Sequence, residues 1–193
     1  MPHRKPLNEC SALSVPIVTD FGRQLVEAVW FMHGQGVAHR DLKPENVVVD
    51  LHMHQLSIID YDLAMFVDGR NEMVHGYVGT EGFTAPEVGD DWKERYYSPI
   101  AADLWATGRV LEFLLSRSDD PKSPKLKLLR SISRRLLDDD PAQRPGADEA
   151  LDDILLRAKH PPFYKSSEQR DSSQTEYWTP RHPRPQLTGL EVH

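Results

Sequence analysis

The residues best equipped for chemistry stand together in one stretch, His39-Arg40-Asp41-Leu42-Lys43-Pro44-Glu45-Asn46. It combines a carboxylate that can accept a proton, an ammonium that can neutralise an anion, a guanidinium, an imidazole and an amide. The chemistry open to such a set is charge handling and proton movement at an anionic reacting group. Two more carboxylates, Asp60 and Asp62, flank Tyr61 at the end of an apolar run. Read alone, the first stretch is compatible with a charged, solvated loop, and Asp60 and Asp62 with strand-end turn residues. Their surroundings decide between these readings.

Apolar residues recur at helical spacing over 15–33, with Ile17, Phe21, Leu25, Ala28, Val29 and Met32 on one stripe and Gly34 and Gly36 as the stop. Trp30 and Trp105, on apolar helical runs, are expected in the core. Two β-branched runs, 47–49 and 56–59, flank a polar stretch and predict a hairpin. The charged loop therefore lies between a helix and a strand. Residues 62–82 read as a long irregular loop. Further helices are predicted over 100–116, 126–137 and 147–158. Two short strands cannot make a sheet core, so the fold is expected to be mainly α with one small hairpin. Residues 1–14 are expected to be flexible and 164–193 to be a disordered tail, in which 179–185 is Pro- and Arg-rich.

In that setting the chain resembles the lower, C-terminal lobe of eukaryotic-type protein kinases of the Ser/Thr branch, over residues 15–163. The stretch 39–46 matches the family's catalytic loop in full, including the lysine two residues past the aspartate. Asp60-Tyr61-Asp62 stands where the family has Asp-Phe-Gly. Ala85-Pro86-Glu87 matches the end of the activation segment, Asp103-Leu104-Trp105 the start of the central helix, and Asp140-Pro141-Ala142-Gln143-Arg144-Pro145 the arginine motif. The resemblance implies phosphoryl transfer from ATP to a protein hydroxyl, where catalysis is mostly positioning and charge stabilisation. It implies that Asp41 orients the attacking hydroxyl and takes its proton, that Lys43 neutralises the transferring group, that Asn46 and Asp60 hold Mg2+, and that Val48 floors the adenine site. His39, Arg40 and Thr80 are expected to support the site, Asp103 to bond the catalytic-loop backbone, and Glu87 to form a buried ion pair with Arg144.

Two departures matter. Asp62 replaces a glycine whose positive φ the family uses, and aspartate adopts left-handed geometry less freely. Between Met65 and Val78 there is no Ser or Thr, and Tyr77 is the one hydroxyl that could take phosphate. Asp68 or Glu72 is therefore expected to neutralise Arg40. Only 38 residues precede His39, with Lys5 the sole lysine among them and no Gly-x-Gly-x-x-Gly. The family's N-terminal lobe with its β-sheet is thus expected to be missing, as is the docking helix usually found between the central helix and the next. Two readings follow from the resemblance: a truncated Ser/Thr kinase, inactive alone, or a pseudokinase-type binding module. Either takes a protein substrate or partner, with an N-lobe supplied in trans as one form of that partner.

The bulk properties agree. The 193 residues carry a formal net charge of −7, with 39% hydrophobic and 27% charged residues. That balance suits one globular domain and argues against nucleic-acid or anionic-membrane binding. No run approaches the roughly 20 apolar residues of a membrane span, and Cys10 alone cannot form an intrachain disulfide. An intracellular protein, cytoplasmic or nuclear, is expected. His52 and His54 read as turn residues rather than zinc ligands.

Overall fold

The computed structural model describes residues 4–88 and 96–158. The elements run in the order β1 (Arg4–Pro6), α1 (Val15–Gly34), β2 (Val37–Ala38), β3 (Val47–Asp50), β4 (Gln55–Ile58), β5 (Met65–Phe66), β6 (Val74–His75), β7 (Tyr96–Tyr97), α2 (Pro99–Ser116), α3 (Lys127–Leu136) and α4 (Ala147–Ala158). The expected tail 164–193 and its Pro/Arg-rich stretch lie outside the described residues.

Helix α1 begins with Pro16 in its first turn, where a missing N–H costs nothing. It buries Val18, Phe21, Leu25, Val29 and Met32 along one stripe. Trp30 sits one position past Val29, about 100° round the helix, and is 43% exposed, against the expectation of a core position. Gly22 lets α3 come close, since a Cβ there would lie 2.7 Å from Leu129 Cδ1. Helix α2 starts at Ser98, whose hydroxyl accepts from the Ala101 N–H at 3.2 Å, followed by Pro99. It is apolar almost all round because it runs through the centre of the core, and Ser133 Oγ of α3 donates to the Gly108 carbonyl at 3.0 Å. Trp105 belongs to a second, smaller cluster with Ala85, Val88, Tyr97, Val74 and Ala102, and is only partly buried. Residues 117–126 hold a 3-10 turn, Pro124–Leu126, and no α-helix.

The hairpin forms with Val47 opposite Ile58 and Asp50 opposite Gln55. It is not alone. Strand β1 adds to its other edge, pairing Arg4 with Asp50 and Pro6 with Val48. Two further two-stranded ladders join β2 to β5 and β6 to β7. The expectation of a loose segment over 1–14 is therefore corrected for residues 4–14. Leu7, Cys10 and Leu13 are all buried in the main core, and Leu13 bridges to Ser118. Three apolar side chains at three-residue spacing supply enough burial to order a polar, Pro-containing segment. Cys10 is a buried free thiol, and burial raises its pKa.

Asp50 closes the hairpin turn: its Oδ1 accepts from the N–H groups of His52 and Met53, each at 3.0 Å. The Met53 N–H is the main reason its carboxyl lies below the ordinary value, and burial opposes this. A folded pKa below the unfolded one gives stability that is present at neutral pH and is lost as pH falls through the folded value. Asp50→Asn should flatten the acid limb of the stability curve below about pH 4. An acid limb with the same slope in both proteins would remove Asp50 from the account.

Candidate functional site

The loop after β2 turns sharply at Arg40, whose φ is 69°. Left-handed geometry costs a non-glycine residue about 1–2 kcal/mol. Here it turns two successive N–H groups onto one carboxylate. Asp103, in the first half of α2 and 1% exposed, accepts from His39 N at 2.6 Å and from Arg40 N at 2.8 Å. Charge-assisted bonds of this kind are stronger than neutral ones and offset the backbone cost. His33, in the last turn of α1, adds a third contact to Asp103 at 3.1 Å.

The His39 ring is fully buried. Its Nδ1 accepts from Asp41 N at 3.3 Å and its Nε2 faces the Ile59 carbonyl at 3.1 Å, so the ring proton belongs on Nε2. Tyr61 stacks obliquely on it, with ring centroids 4.8 Å apart. The site floor is thereby tied to α1, α2 and the end of β4.

Asp41 is 9% exposed and is gripped from three sides. Lys43 Nζ reaches its Oδ2 at 2.7 Å, Asn46 Nδ2 reaches the same oxygen at 3.1 Å, and Thr80 Oγ1 donates to Oδ1 at 2.7 Å. Lys43 Nζ also bonds Thr80 Oγ1 at 2.8 Å, and Asn46 Nδ2 the Asp41 carbonyl at 2.9 Å. An ionised carboxylate has about four acceptor positions. Oδ2 uses both of its own, whereas Oδ1 keeps one for an incoming donor.

Asp41, Lys43, Asn46 and Thr80 are therefore brought together. Asp60 is near them in the chain path, since Ile59 N donates to the Asn46 carbonyl at 2.9 Å. Its own carboxylate is exposed, with no hydrogen bond or ion pair among the described residues. Positive φ falls at Asp60 (65°) and not at Asp62, so the substitution of Asp62 for glycine meets no left-handed demand there. Val48 is half-buried on the face opposite the buried Val47 and Val49.

Arg144 is 2% exposed and forms a fork on Glu87, Nη1 to Oε1 at 2.5 Å and Nη2 to Oε2 at 2.8 Å. It also donates to the carbonyls of Ala101 and Asp138, at 2.9 and 2.8 Å. Among the described residues no ion pair joins Glu72 to Arg40, and the Glu72 carboxylate takes the Asp68 N–H. Arg40 Nε is buried with no hydrogen-bond partner among the described residues, beside a cavity of about 20 Å³ lined also by Val78, Phe83, Thr84 and Tyr97.

Sequence reasoning missed His33, which contacts Asp103 across 70 positions. It also missed Asn8, whose amide donates to Glu45 at 3.0 Å, and Arg70, discussed below. Among the described residues there is no cluster of three or more His, Cys, Asp or Glu that could hold a metal ion, and no helix is long and apolar enough to cross a membrane.

The family model described as protein kinase domain matches residues 3–125. Among curated proteins, the chain is similar to CBL-interacting protein kinase 9 of Oryza sativa subsp. japonica, 32% identical over 75% of this chain and 36% of that protein. It is 39% identical to CBL-interacting serine/threonine-protein kinase 15 of Arabidopsis thaliana, over 52% of this chain and 23% of that protein. CBL-interacting serine/threonine-protein kinase 3 of Arabidopsis thaliana is 34% identical over 78% of this chain and 38% of that protein. The chain thus spans well under half the length of these relatives.

Proposed function

Because the chain belongs to the protein kinase domain family, we propose that residues 15–163 are the catalytic lower lobe of a serine/threonine kinase that transfers phosphate from ATP to a protein hydroxyl. The carrying observation is the single acceptor position left on Asp41 Oδ1, beside Thr80 and within the same network as the Lys43 ammonium. A substrate hydroxyl would bond that oxygen and pass its proton there as its new P–O bond forms and the bond from the γ-phosphorus to the bridging oxygen breaks, releasing ADP. Lys43 would offset negative charge on the transferring group. Asn46 and Asp60 fit a hard cation: the Asn46 Nδ2 is turned to Asp41, which leaves its amide oxygen as a ligand, and the Asp60 carboxylate is exposed. Bound Mg2+ would supply positive charge to the phosphate oxygens. Val48 would lie under the adenine.

The roof of that cleft has to come from outside residues 4–158, either from other residues of a longer protein or from a separate chain in trans. Without it the site is open to water, which weakens each charge interaction. Residues 4–158 alone are therefore expected to be weak or inactive in transfer. The relatives are named as interacting with CBL, and a protein partner for this chain is proposed on the same footing.

A second reading, a binding module without transfer, is favoured by one observation. Ile59, Tyr61 and Leu63, on either side of Asp60, are each at least 40% exposed, an apolar strip suited to a protein surface. Titration of Mg·ATP by calorimetry separates the two. Binding that disappears in Asp60→Ala supports the kinase reading. No heat at millimolar nucleotide supports the second.

A further inference from the structure

We propose that Arg70 is a positioning residue that holds the loop bearing Thr80 in place without any phosphate. The problem it solves is entropic. Thr80 must stay 2.7 Å from Asp41, yet it lies in a stretch where Gly69, Gly76, Gly79 and Gly82 all take positive φ. Glycine loses the most conformational freedom on ordering. No Ser or Thr lies between Met65 and Val78 to carry an ordering phosphate.

Arg70 supplies an anchor of another kind. Its Nη2 donates to the carbonyls of Pro141 and Arg144, at 3.0 and 2.6 Å. Its own carbonyl accepts from Ser98 Oγ at 2.6 Å. One residue thus holds the loop whose Arg144 side chain grips Glu87, and also the N-cap of the helix that carries Asp103. Downstream, Val74 pairs with Tyr97 and His75 with Tyr96, so the loop is pinned again before it reaches Thr80. Each pin shortens the free chain whose closure entropy opposes the Thr80–Asp41 contact. A guanidinium bonded to two carbonyls is a charge-assisted contact, stronger than a neutral one. The consequence for regulation is that the site geometry is set by this clamp.

The contacts stand independently of the phosphotransfer reading; only their consequence for catalysis rests on it. The test is hydrogen exchange on the phosphatase-treated chain without nucleotide, so a failed nucleotide titration leaves its result intact. Peptides covering 68–80 should be protected in the parent chain. In Arg70→Met their exchange should rise about tenfold or more while α1 is unchanged. Arg70→Lys, which restores a cationic donor, should recover most of the protection. Should Arg70→Met loosen α1 as well, Arg70→Gln, which keeps one amide donor, must give a smaller rise confined to 68–80. The proposal is overturned by unchanged protection in Arg70→Met, by no recovery in Arg70→Lys, or by equal loosening of α1 in the Met and Gln variants. It is also overturned if phosphatase treatment alone deprotects 68–80.

Discussion

Arg144→Met lowers the stability of this domain by about 3–5 kcal/mol, the usual cost of removing one partner from a buried ion pair. The guanidinium is almost wholly inside and serves a carboxylate and two carbonyls at once. Its loss leaves Glu87 largely buried and unpaired, and orphans the carbonyls of Ala101 and Asp138. The pair joins chain segments 57 positions apart, so breaking it also frees the loop after Thr80. Removing both partners is a different matter. Glu87→Leu combined with Arg144→Met should recover a good part of the loss, since apolar replacement of a whole buried pair is often neutral. Urea midpoints at constant m-value measure both. A single variant that loses less than about 1 kcal/mol, the range of exposed ion pairs, would show that water reaches the pair.

The second large effect lies in the proposed chemistry. Asp41→Asn keeps the size of the side chain but turns one acceptor oxygen into a donor. Lys43 Nζ and Asn46 Nδ2 both point at Oδ2, and Thr80 Oγ1 at Oδ1. An amide cannot accept from all three, and it cannot take a proton from a substrate hydroxyl. In the longest native product carrying this segment, phosphate transfer should fall about 10²–10⁴-fold, the usual contribution of a positioned acid–base group. Nucleotide affinity should hold, because Asp41 is not among the groups assigned to ATP or the metal. Transfer within tenfold of the parent would take Asp41 out of the reacting centre.

The catalytic loop is legible in the letters because its members are close in sequence. Asp41, Lys43 and Asn46 fall within six consecutive positions, and a local turn is enough to face them together. The four α-helices among the described residues were likewise readable from period and punctuation, each within a residue or two of its observed ends. Helical spacing is a local property, and it even explains the misplaced Trp30, one step off the stripe. By contrast, β1 was hidden. Arg4–Pro6 has no alternation of its own, and it becomes a strand only because the open edge of β3 accepts it. The same holds for β6 and β7, two-residue ladders whose partner lies more than 20 positions away.

The sequence by itself determined which groups are available: a carboxylate, an ammonium and an amide on one loop, a carboxylate to brace it, and a buried charge pair beneath. The tertiary structure decided which atoms they serve. His33 reaches Asp103, Arg70 bonds the carbonyls of Pro141 and Arg144, and Asp60 stays outside the tight network around Asp41. The Arg70 contacts were hidden because backbone carbonyls and N–H groups are the same in nearly every residue. A contact aimed at them leaves no mark in the letters, and His33 and Asp103, 70 positions apart, come to 3.1 Å only because α1 packs on α2.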